Sequence, residues 1–292
     1  MRDFSQDHRW LSINTATVRR SQGQDLPLPD ILDACARHGI PAVSPWRDQV
    51  AAAGLKTISA QVKALGLKLS GYCRGGMFPA TDAAGLRAAR DDNHRAVDEA
   101  CELGAPCLVL VVGALPGALA GQAAHKDIGR ARQQVSEGIA ELLDYAKAAG
   151  MPLAIEPLHP MYAADRACIN TMEQALDVCD ALDPTKSGAL GVAVDVYHVW
   201  WDPKLQAQIE RAGKSRLLAF HVCDWLTPTT DLLNDRGMMG DGVIDIPCIR
   251  GWVEAQGFAG FSEVEIFSTG NWWKRDHDEV LQTCIQRHRS KV

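Results

Sequence analysis

Short apolar runs alternate with longer amphipathic segments along the whole chain. The short runs predict buried strands, because apolar residues fill nearly every position, as in Cys107–Val112. The longer segments have apolar residues at helical spacing, and most of them end at glycine, as Asp127–Ala149 does at Gly150. The predicted strands are Leu11–Thr15, Pro41–Ser44, Leu67–Tyr72, Cys107–Val112, Pro152–Ile155, Ala189–Val194, Leu217–Phe220 and Phe261–Val264.

Helices are predicted between these strands and after the last one. They are Pro29–His38, Ile58–Leu65, Asp82–Leu103, Asp127–Ala149, Thr171–Leu182 (with Thr171 as N-cap), Pro203–Ala212, Ile246–Gln256 and Arg275–His288. Asn93 and His94 lie inside the third helix, where we expect them at the surface.

Eight strand–helix units in strict alternation predict an α/β protein whose parallel sheet is covered by helices. Such alternation is typical of a closed (β/α)8 barrel or of a doubly wound open sheet. The number of units, the length of 292 residues and the lack of a GxGxxG motif after an early strand favour the barrel. No break in composition divides the chain, so we expect residues 1–292 to form a single TIM-barrel domain.

Composition narrows the function classes. Hydrophobic residues make up 47% and charged residues 23%, as in ordinary globular proteins. A net charge of −6 without a dense basic run disfavours a nucleic-acid partner. There is no apolar run of membrane-spanning length and no signal-peptide core at the N-terminus, so no membrane partner is expected. The nine scattered cysteines contain no CxxC pair and predict buried thiols in a reducing cytoplasm.

The last four predicted strands each end at one ionisable residue. These residues are Glu156, Asp195, His221 and Glu265. In a (β/α)8 barrel the C-terminal ends of all strands face one mouth, so the four side chains are expected to meet there. Three carboxylates brought together repel each other, and a divalent cation relieves that repulsion. The pattern therefore predicts one metal site; salt bridges across the mouth are the alternative.

At these residues the chain resembles the xylose isomerase-like barrel superfamily, in its sugar phosphate isomerase/epimerase branch. Ketose 3-epimerases and inosose-processing enzymes belong to that branch. The resemblance covers essentially the whole chain and is strongest between Glu156 and Glu265. In this family a Glu, an Asp, a His and a Glu from the last four strands hold one metal, which implies that Glu156, Asp195, His221 and Glu265 are the ligands. The metal is commonly Mn²⁺; Mg²⁺, Co²⁺, Zn²⁺ and Fe²⁺ are alternatives that suit the same donors.

Two further motifs resemble the family pattern. The segment Asp195-Val196-Tyr197-His198 is similar to D-x-x-H, which implies that His198 lies beside the substrate; a structural role behind the metal ligands is the alternative. A second family pattern, H-x-x-D…R…G-x-G-x-(I/V)-D, is similar to a longer stretch of this chain. That stretch begins with HVCD at His221, continues through Arg236 and ends with GDGVID. It implies that Arg236 contacts substrate oxygens or supports the metal site, with a solvated loop arginine as the alternative.

One departure from the family concerns the substrate end of the site. Ketose epimerases usually have a second glutamate shortly after the first ligand, whereas this chain continues Glu156-Pro-Leu-His159. His159 is therefore a candidate substrate ligand or general acid/base, or else a loop-packing residue. Five tryptophans near strand ends suit either stacking on a sugar ring or packing. They are Trp46, Trp200, Trp201, Trp272 and Trp273.

The resemblance implies a metal-dependent sugar isomerase or epimerase that acts on a ketose or oxo-sugar through an enediolate. Glu156 and Glu265 would then be catalytic proton-transfer groups as well as ligands. A lyase or dehydratase that eliminates a β-substituent from a 3-oxo-glycoside or inosose by the same enediolate is the alternative. Without a Gly-rich phosphate loop, a free or oxidised sugar is preferred as substrate. The family also implies a homo-oligomer, either a dimer or a tetramer.

Two other classes compete with this interpretation. The abasic-site endonuclease branch of the same barrel uses several metals, but the early strand ends near Thr15, Ser44 and Cys73 lack the histidines for them. The acidic pI of about 5.8 also disfavours DNA. A metal-binding protein without activity is disfavoured because an unpaired carboxylate cluster is costly to keep.

Overall fold

The computed structural model describes residues 1–292 and contains a parallel barrel of nine strands. The barrel strands are β1 (Leu11–Asn14), β2 (Ala42–Ser44), β3 (Lys68–Leu69), β4 (Tyr72–Gly76), β5 (Leu108–Val111), β6 (Leu153–Ile155), β7 (Leu190–Asp195), β8 (Leu217–Val222) and β9 (Ser262–Val264). Their order in the sheet is 3-2-1-9-8-7-6-5-4, so neighbours in the sheet are neighbours in the chain apart from the pairing of β1 with β9. The predicted TIM barrel is confirmed.

The third position of the barrel is occupied by two short strands instead of one continuous strand. The single predicted strand Leu67–Tyr72 is in fact two pieces: β3 pairs with β2, and β4 pairs with β5. The Cys73 amide donates to the Pro45 carbonyl oxygen at 3.1 Å, which joins β4 to the chain just after β2. Strand β4 also continues to Gly76, where a Cβ atom would lie 2.0 Å from the Val111 oxygen. This glycine therefore permits close approach of β5.

Ten α-helices pack around the barrel or cover its mouth. They are α1 (Leu28–Arg37), α2 (Arg47–Ala53), α3 (Leu55–Ala64), α4 (Ala83–Leu103), α5 (Ile128–Ala149), α6 (Met172–Leu182), α7 (Val196–Val199), α8 (Leu205–Arg216), α9 (Ile246–Ala255) and α10 (His277–Lys291). Helices α2 and α7 were not predicted. Among these helices, none combines the length and the apolarity that a membrane span requires.

The ends of the helices follow ordinary capping rules. The Thr171 side chain accepts from the Gln174 amide at 3.2 Å, as predicted for an N-cap, and Gly150 ends α5 in a left-handed conformation. Asn93 of α4 corrects one expectation. Its side chain is fully buried and bonds both the amide and the carbonyl of Gly76, so it ties α4 to the end of β4.

Short elements complete the fold. They are the 3-10 turns Thr15–Val18, Ala118–Ala120, Pro160–Tyr162 and Trp272–Lys274, the hairpin of Arg20–Ser21 with Gln24–Asp25, and the hairpin of Asp224–Trp225 with Arg236–Gly237. The main core of 71 buried residues lies largely between the helices and the barrel. A separate small cluster inside the barrel includes Cys73, Val109 and Ala193. The second hairpin lies at the barrel mouth and brings Arg236 into the site.

Candidate metal centre

The four strand-end residues converge inside the barrel mouth. One donor atom from each of Glu156, Asp195, His221 and Glu265 lies within 4.8 Å of the others, and all four residues are buried. The closest contact joins His221 Nδ1 to Glu156 Oε1 at 2.9 Å, and the same nitrogen lies 3.9 Å from Glu265 Oε2. The barrel therefore brings together side chains that are up to 109 residues apart in the sequence, because each lies at a strand end.

The layer beneath the cluster is made of small side chains with one exception. Successive residues of a strand face opposite sides, so the residue two positions before each ligand also points into the barrel. Three of these residues are Ala154, Ala193 and Ala219, which are buried in the interior cluster. The fourth, beneath Glu265, is Glu263, a buried carboxylate in a layer of methyl groups.

Glu263 is a site residue that the sequence analysis missed. Its carboxylate accepts from Asn14 Nδ2 and from Ser70 Oγ, both at 2.7 Å. Its Oε1 also lies 3.6 Å from His221 Nε2, on the side of the ring opposite the cluster. The carboxylate therefore favours a proton on Nε2, which leaves the Nδ1 lone pair of His221 free for a metal.

The acids around His221 determine the pKa of its imidazole. Burial lowers its pKa, but the carboxylates of Glu263, Glu156 and Glu265 outweigh burial and hold the pKa well above its ordinary value. Without a metal, the imidazole is thus a cation among carboxylates. A divalent cation would take the place of that proton.

Arg236 is buried in the cluster and pairs with two of the four acids. Its Nη1 donates to Asp195 Oδ2 at 3.0 Å and to Glu265 Oε2 at 3.2 Å. Its Nη2 lies 3.1 Å from His198 Nε2. The sequence predicted that Arg236 either contacts substrate oxygens or supports the metal site. Its contacts with Asp195 and Glu265 match the second role, and its side chain also lines the adjoining cavity.

The two acids that Arg236 contacts differ in proton affinity. Burial raises the pKa of Glu265 to about 8, with a further contribution from the negative charge of Glu156. For Asp195 burial acts in the same direction, but Arg236, His198 and His221 together lower its pKa below the ordinary value. Without a metal, Asp195 is therefore ionised at neutral pH, and Glu265 keeps its proton.

His198 lies on the one-turn helix α7, which begins directly after Asp195. The Asp195 carboxylate accepts from the Tyr197 amide at 2.8 Å and so begins this helix, which turns His198 towards the cavity. The His198 Nδ1 accepts from the His159 amide at 3.2 Å. Burial lowers the pKa of His198 to about 3, so its imidazole is neutral at physiological pH. It lines the cavity beside Glu156 and Glu265.

His159 lies behind His198 and its ring does not line the cavity. The ring stacks on Trp225 with centroids 4.8 Å apart and meets the edge of Trp201 at 5.8 Å. Its Nδ1 accepts from the Met161 amide at 3.3 Å, which caps the following 3-10 turn. Of its two predicted roles, packing matches these contacts; a contact with substrate stays a prediction.

A cleft leads from the cluster to the solvent. About 590 Å³ lies between its walls, and this volume includes open solvent. Glu156 and Glu265 form its acidic end, and apolar side chains, among them Trp46, Val111 and Phe267, form much of its walls. Of the five tryptophans considered for sugar stacking, Trp46 lines the cleft, whereas Trp272 and Trp273 are buried in packing.

The glycine-rich segment after Arg236 forms a tight loop at the mouth. The Asp224 carboxylate accepts from the amides of Gly240 and Ile244 at 2.9 and 3.0 Å, so this residue orders the loop. Gly240 has a φ of +88°, and a Cβ atom on Gly242 would lie 2.1 Å from the Trp225 oxygen. Both glycines are therefore required by the backbone path.

Comparison with known proteins assigns the family. The family model of the xylose isomerase-like TIM barrel matches residues 32–284. The chain belongs to this family. A search of curated proteins found no match.

Solved structures of this barrel cover nearly the whole chain. Protein SMc04130 from Sinorhizobium meliloti 1021 is 60% identical, over 97% of this chain and 98% of its own, with a TM-score of 0.90. The IolI protein with a binding zinc atom is 19% identical over 95% of each chain, with a TM-score of 0.78. D-psicose 3-epimerase with D-tagatose, from Clostridium cellulolyticum H10, is 16% identical over 96% of this chain and 98% of its own, with a TM-score of 0.72. The last two show a shared fold.

The donor set of this xylose isomerase-like barrel fits a divalent cation. Three carboxylates and one imidazole converge away from solvent, and oxygen donors with one imidazole suit Mn²⁺, Mg²⁺, Zn²⁺, Co²⁺ or Fe²⁺. Arg236 supplies a single fixed positive charge against the three carboxylates. The His221 Nδ1 already faces the carboxylates, while Nε2 is directed to Glu263. The residues present therefore form a possible metal site.

Proposed function

We propose that the protein is a divalent-metal-dependent sugar isomerase or epimerase that acts on a ketose or another oxo-sugar. The observation that carries the proposal is the convergence of Glu156, Asp195, His221 and Glu265 in the barrel mouth, where Glu156 and Glu265 line a cleft that opens to solvent. A zinc atom in the IolI structure and D-tagatose in the D-psicose 3-epimerase structure support it, since both proteins share the fold.

The four residues would hold the metal, with Mn²⁺ as the expected ion. When bound, a divalent cation supplies Lewis-acid polarisation of a carbonyl or hydroxyl oxygen, which makes the neighbouring C–H more acidic. Arg236 keeps Asp195 and Glu265 in place, and Glu263 orients the ring of His221. The chain thus provides both the donors and their orientation.

Glu156 and Glu265 are the groups that move the proton. One carboxylate removes the proton next to the sugar carbonyl, and the substrate becomes an enediolate. Return of a proton to the opposite face gives an epimer, whereas return to the neighbouring carbon interconverts ketose and aldose.

His198 and the cleft walls position the sugar. The imidazole of His198 is neutral, so it can exchange hydrogen bonds with a hydroxyl without adding a charge next to the metal. Trp46 and Phe267 provide apolar faces on the side walls, and their rings meet edge to face with centroids 5.5 Å apart.

Solvent proton exchange tests this proposal. The protein, loaded with Mn²⁺ and verified by metal analysis, is incubated in D₂O with a panel of ketoses and oxo-sugars and followed by NMR. We expect deuterium at the carbon next to the carbonyl of at least one sugar, loss of exchange with EDTA and recovery with Mn²⁺. Loss of a β-substituent from the product would identify the lyase instead. Absence of exchange across the panel, with one metal bound per chain, would contradict the proposal.

A further inference from the structure

Two arginines at the open end of the cleft have no acidic partner. Arg74 follows Cys73 in β4, and Arg166 lies in the loop after the 3-10 turn Pro160–Tyr162. Both side chains are half-buried and line the cleft that contains Glu156 and Glu265. Neither guanidinium forms a hydrogen bond or an ion pair; Arg166 lies over the ring of Tyr162, 5.8 Å from its centroid.

Other arginines near the cleft are neutralised by acids. Arg236 pairs with Asp195 and Glu265, and Arg47 pairs with Asp92 and Glu99. The contrast identifies Arg74 and Arg166 as cations whose counter-charge is missing from the protein itself.

Two acids whose charges interact with these arginines are engaged by other groups. Asp48, which acts on Arg74, pairs with Arg19 at 2.5 Å. Asp231, which acts on Arg166, accepts from the amides of Leu233 and Asn234. Neither acid comes within ion-pair distance of Arg74 or Arg166. The two cations are therefore not neutralised by direct ion pairs within the protein.

The positive charges of the two guanidinium groups also repel each other. After burial, the positive charge of Arg166 is the largest influence that lowers the pKa of Arg74. Two like charges in one half-buried cleft repel, and an anion between them removes that repulsion. Arginine is suited to this role because its planar donors match a carboxylate or a phosphate in pairs.

Both arginines are held by ordered backbone. Arg74 is within a barrel strand that pairs with β5. The Arg166 carbonyl accepts from the Gly113 amide at 2.9 Å, and the Cys168 amide donates back to Gly113 at 2.9 Å. Both positions are therefore set by the end of β5 and its loop. Such a placement limits the entropy lost when the side chains close on a ligand.

We infer that Arg74 and Arg166 bind an anionic group of the substrate, a carboxylate or a phosphate, while its carbonyl end lies at the metal centre. This inference rests on the proposed sugar isomerase or epimerase. It narrows the substrate from sugars in general to a sugar acid or a sugar phosphate. The acidic end of the cleft repels the anion, so the two ends together determine the direction in which the substrate enters.

Binding measurements test the anion site. D-glucuronate, inorganic phosphate and neutral glucose are titrated calorimetrically into the metal-loaded protein and into the variants Arg74→Gln, Arg166→Gln and the double variant. We expect at least one of the two anions to bind more tightly than glucose. Each single substitution should weaken that binding about tenfold, and the double variant more. Arg90→Gln is the matched control, because Arg90 is exposed and pairs with its neighbour Asp91.

Turnover measurements separate this inference from the proposed function. Deuterium exchange is measured on neutral oxo-sugars and on their carboxylate and phosphate counterparts. We expect the anionic forms to be preferred, with an increase in KM in both variants and partial recovery in Arg74→Lys. Exchange of neutral sugars alone, unaffected by the two substitutions, would overturn the inference and leave the function intact. Anion binding that depends on both arginines, without exchange of any sugar, would support the anion site and contradict the function.

Discussion

The two halves of the barrel contribute different chemistry to the same cleft. Glu156, Asp195, His221 and Glu265 lie at or next to the C-terminal ends of strands β6 to β9, whereas β1 and β2 end at the uncharged residues Asn14 and Ser44. From the same early half, the region of β4 adds the unpaired Arg74. The late strand ends thus carry the acids of the candidate metal site, whereas the early half contributes uncharged strand ends, Trp46 and Arg74.

The halves also meet beneath the metal centre. Asn14 of β1 and Ser70, between β3 and β4, donate to Glu263 of β9, which faces the ring of His221. The early strands therefore support the late-strand ligands by hydrogen bonds. Four substitutions test how unequal the halves are.

The largest effect is expected at the proton-transfer residues of the late half. Glu156→Gln and Glu265→Gln each keep the side-chain shape but remove a base, so the exchange rate should fall about 10³-fold or more. Circular dichroism and thermal unfolding check that the fold is retained. Glu279→Gln is the control, because Glu279 is exposed and pairs with Arg275. Wild-type exchange in both site variants would refute their assignment as bases.

The next effect concerns the support of His221. Glu263→Gln should lower metal affinity roughly 10–100-fold, as is typical when the partner of a ligating histidine is lost. Competition with a fluorescent chelator measures that affinity, and the visible spectrum of bound Co²⁺ reports the ligand geometry. If affinity and spectrum both matched the wild type, Glu263 would be a packing residue only.

A smaller effect is expected from pH on the metal-free protein. The pKa of Glu265 is raised from 4.5 to about 8, mainly by burial, and that of His221 is well above 6.5. The folded state thus binds protons that the unfolded chain has already released at pH 7.5, so the stability from these groups is lost as pH rises through their folded pKa values. We expect the Tm in EDTA to fall by about 1–3 °C between pH 7.5 and 8.5.

Metal should reverse that trend, because its binding requires the same groups without their protons. Thermal unfolding in Mn²⁺ at both pH values provides the comparison. Glu265→Gln removes one of the two groups and should reduce the slope of the EDTA series. An EDTA series in which Tm rises with pH would show that these groups do not carry excess protons in the folded state.

The smallest effect is expected in the early half. Ser44 ends β2, and its hydroxyl has only a weak contact with Cys73 Sγ at 3.9 Å. Ser44→Ala should change the free energy of unfolding by less than about 1 kcal/mol and leave metal affinity unchanged. Chemical denaturation and the chelator assay measure both quantities. A loss of metal affinity as large as that in Glu263→Gln would mean that the halves are less distinct than their strand ends indicate.

Local patterns predicted most of the barrel but missed elements that depend on neighbours. Gly75 and Gly76 look like a turn in the sequence, yet they lie in β4, where glycine permits close approach of β5. Helix α7 has a single turn, which is too short for helical periodicity to reveal. Asn93 has the sequence context of a surface residue but is buried against Gly76.

Glu263 could have been found from the sequence. Glutamates at positions 263 and 265 of one strand point to the same side, and Glu265 had already been placed in the barrel mouth. The period of two therefore puts Glu263 inside the barrel as well. No comparable pattern indicates that Arg74 and Arg166 share a cleft. Arg74 lies in strand β4 and Arg166 lies in a loop, so no periodicity relates the two positions.

The sequence itself determined the order of strands and helices, the helix caps and the position of four ionisable residues at strand ends. These features depend on side-chain periodicity and on residues a few positions apart. Only the tertiary structure decided that Arg236 pairs with Asp195 and Glu265, that His159 stacks on Trp225, and that two arginines lie together without an acid. Those positions depend on contacts between residues far apart in the chain, which local periodicity does not specify.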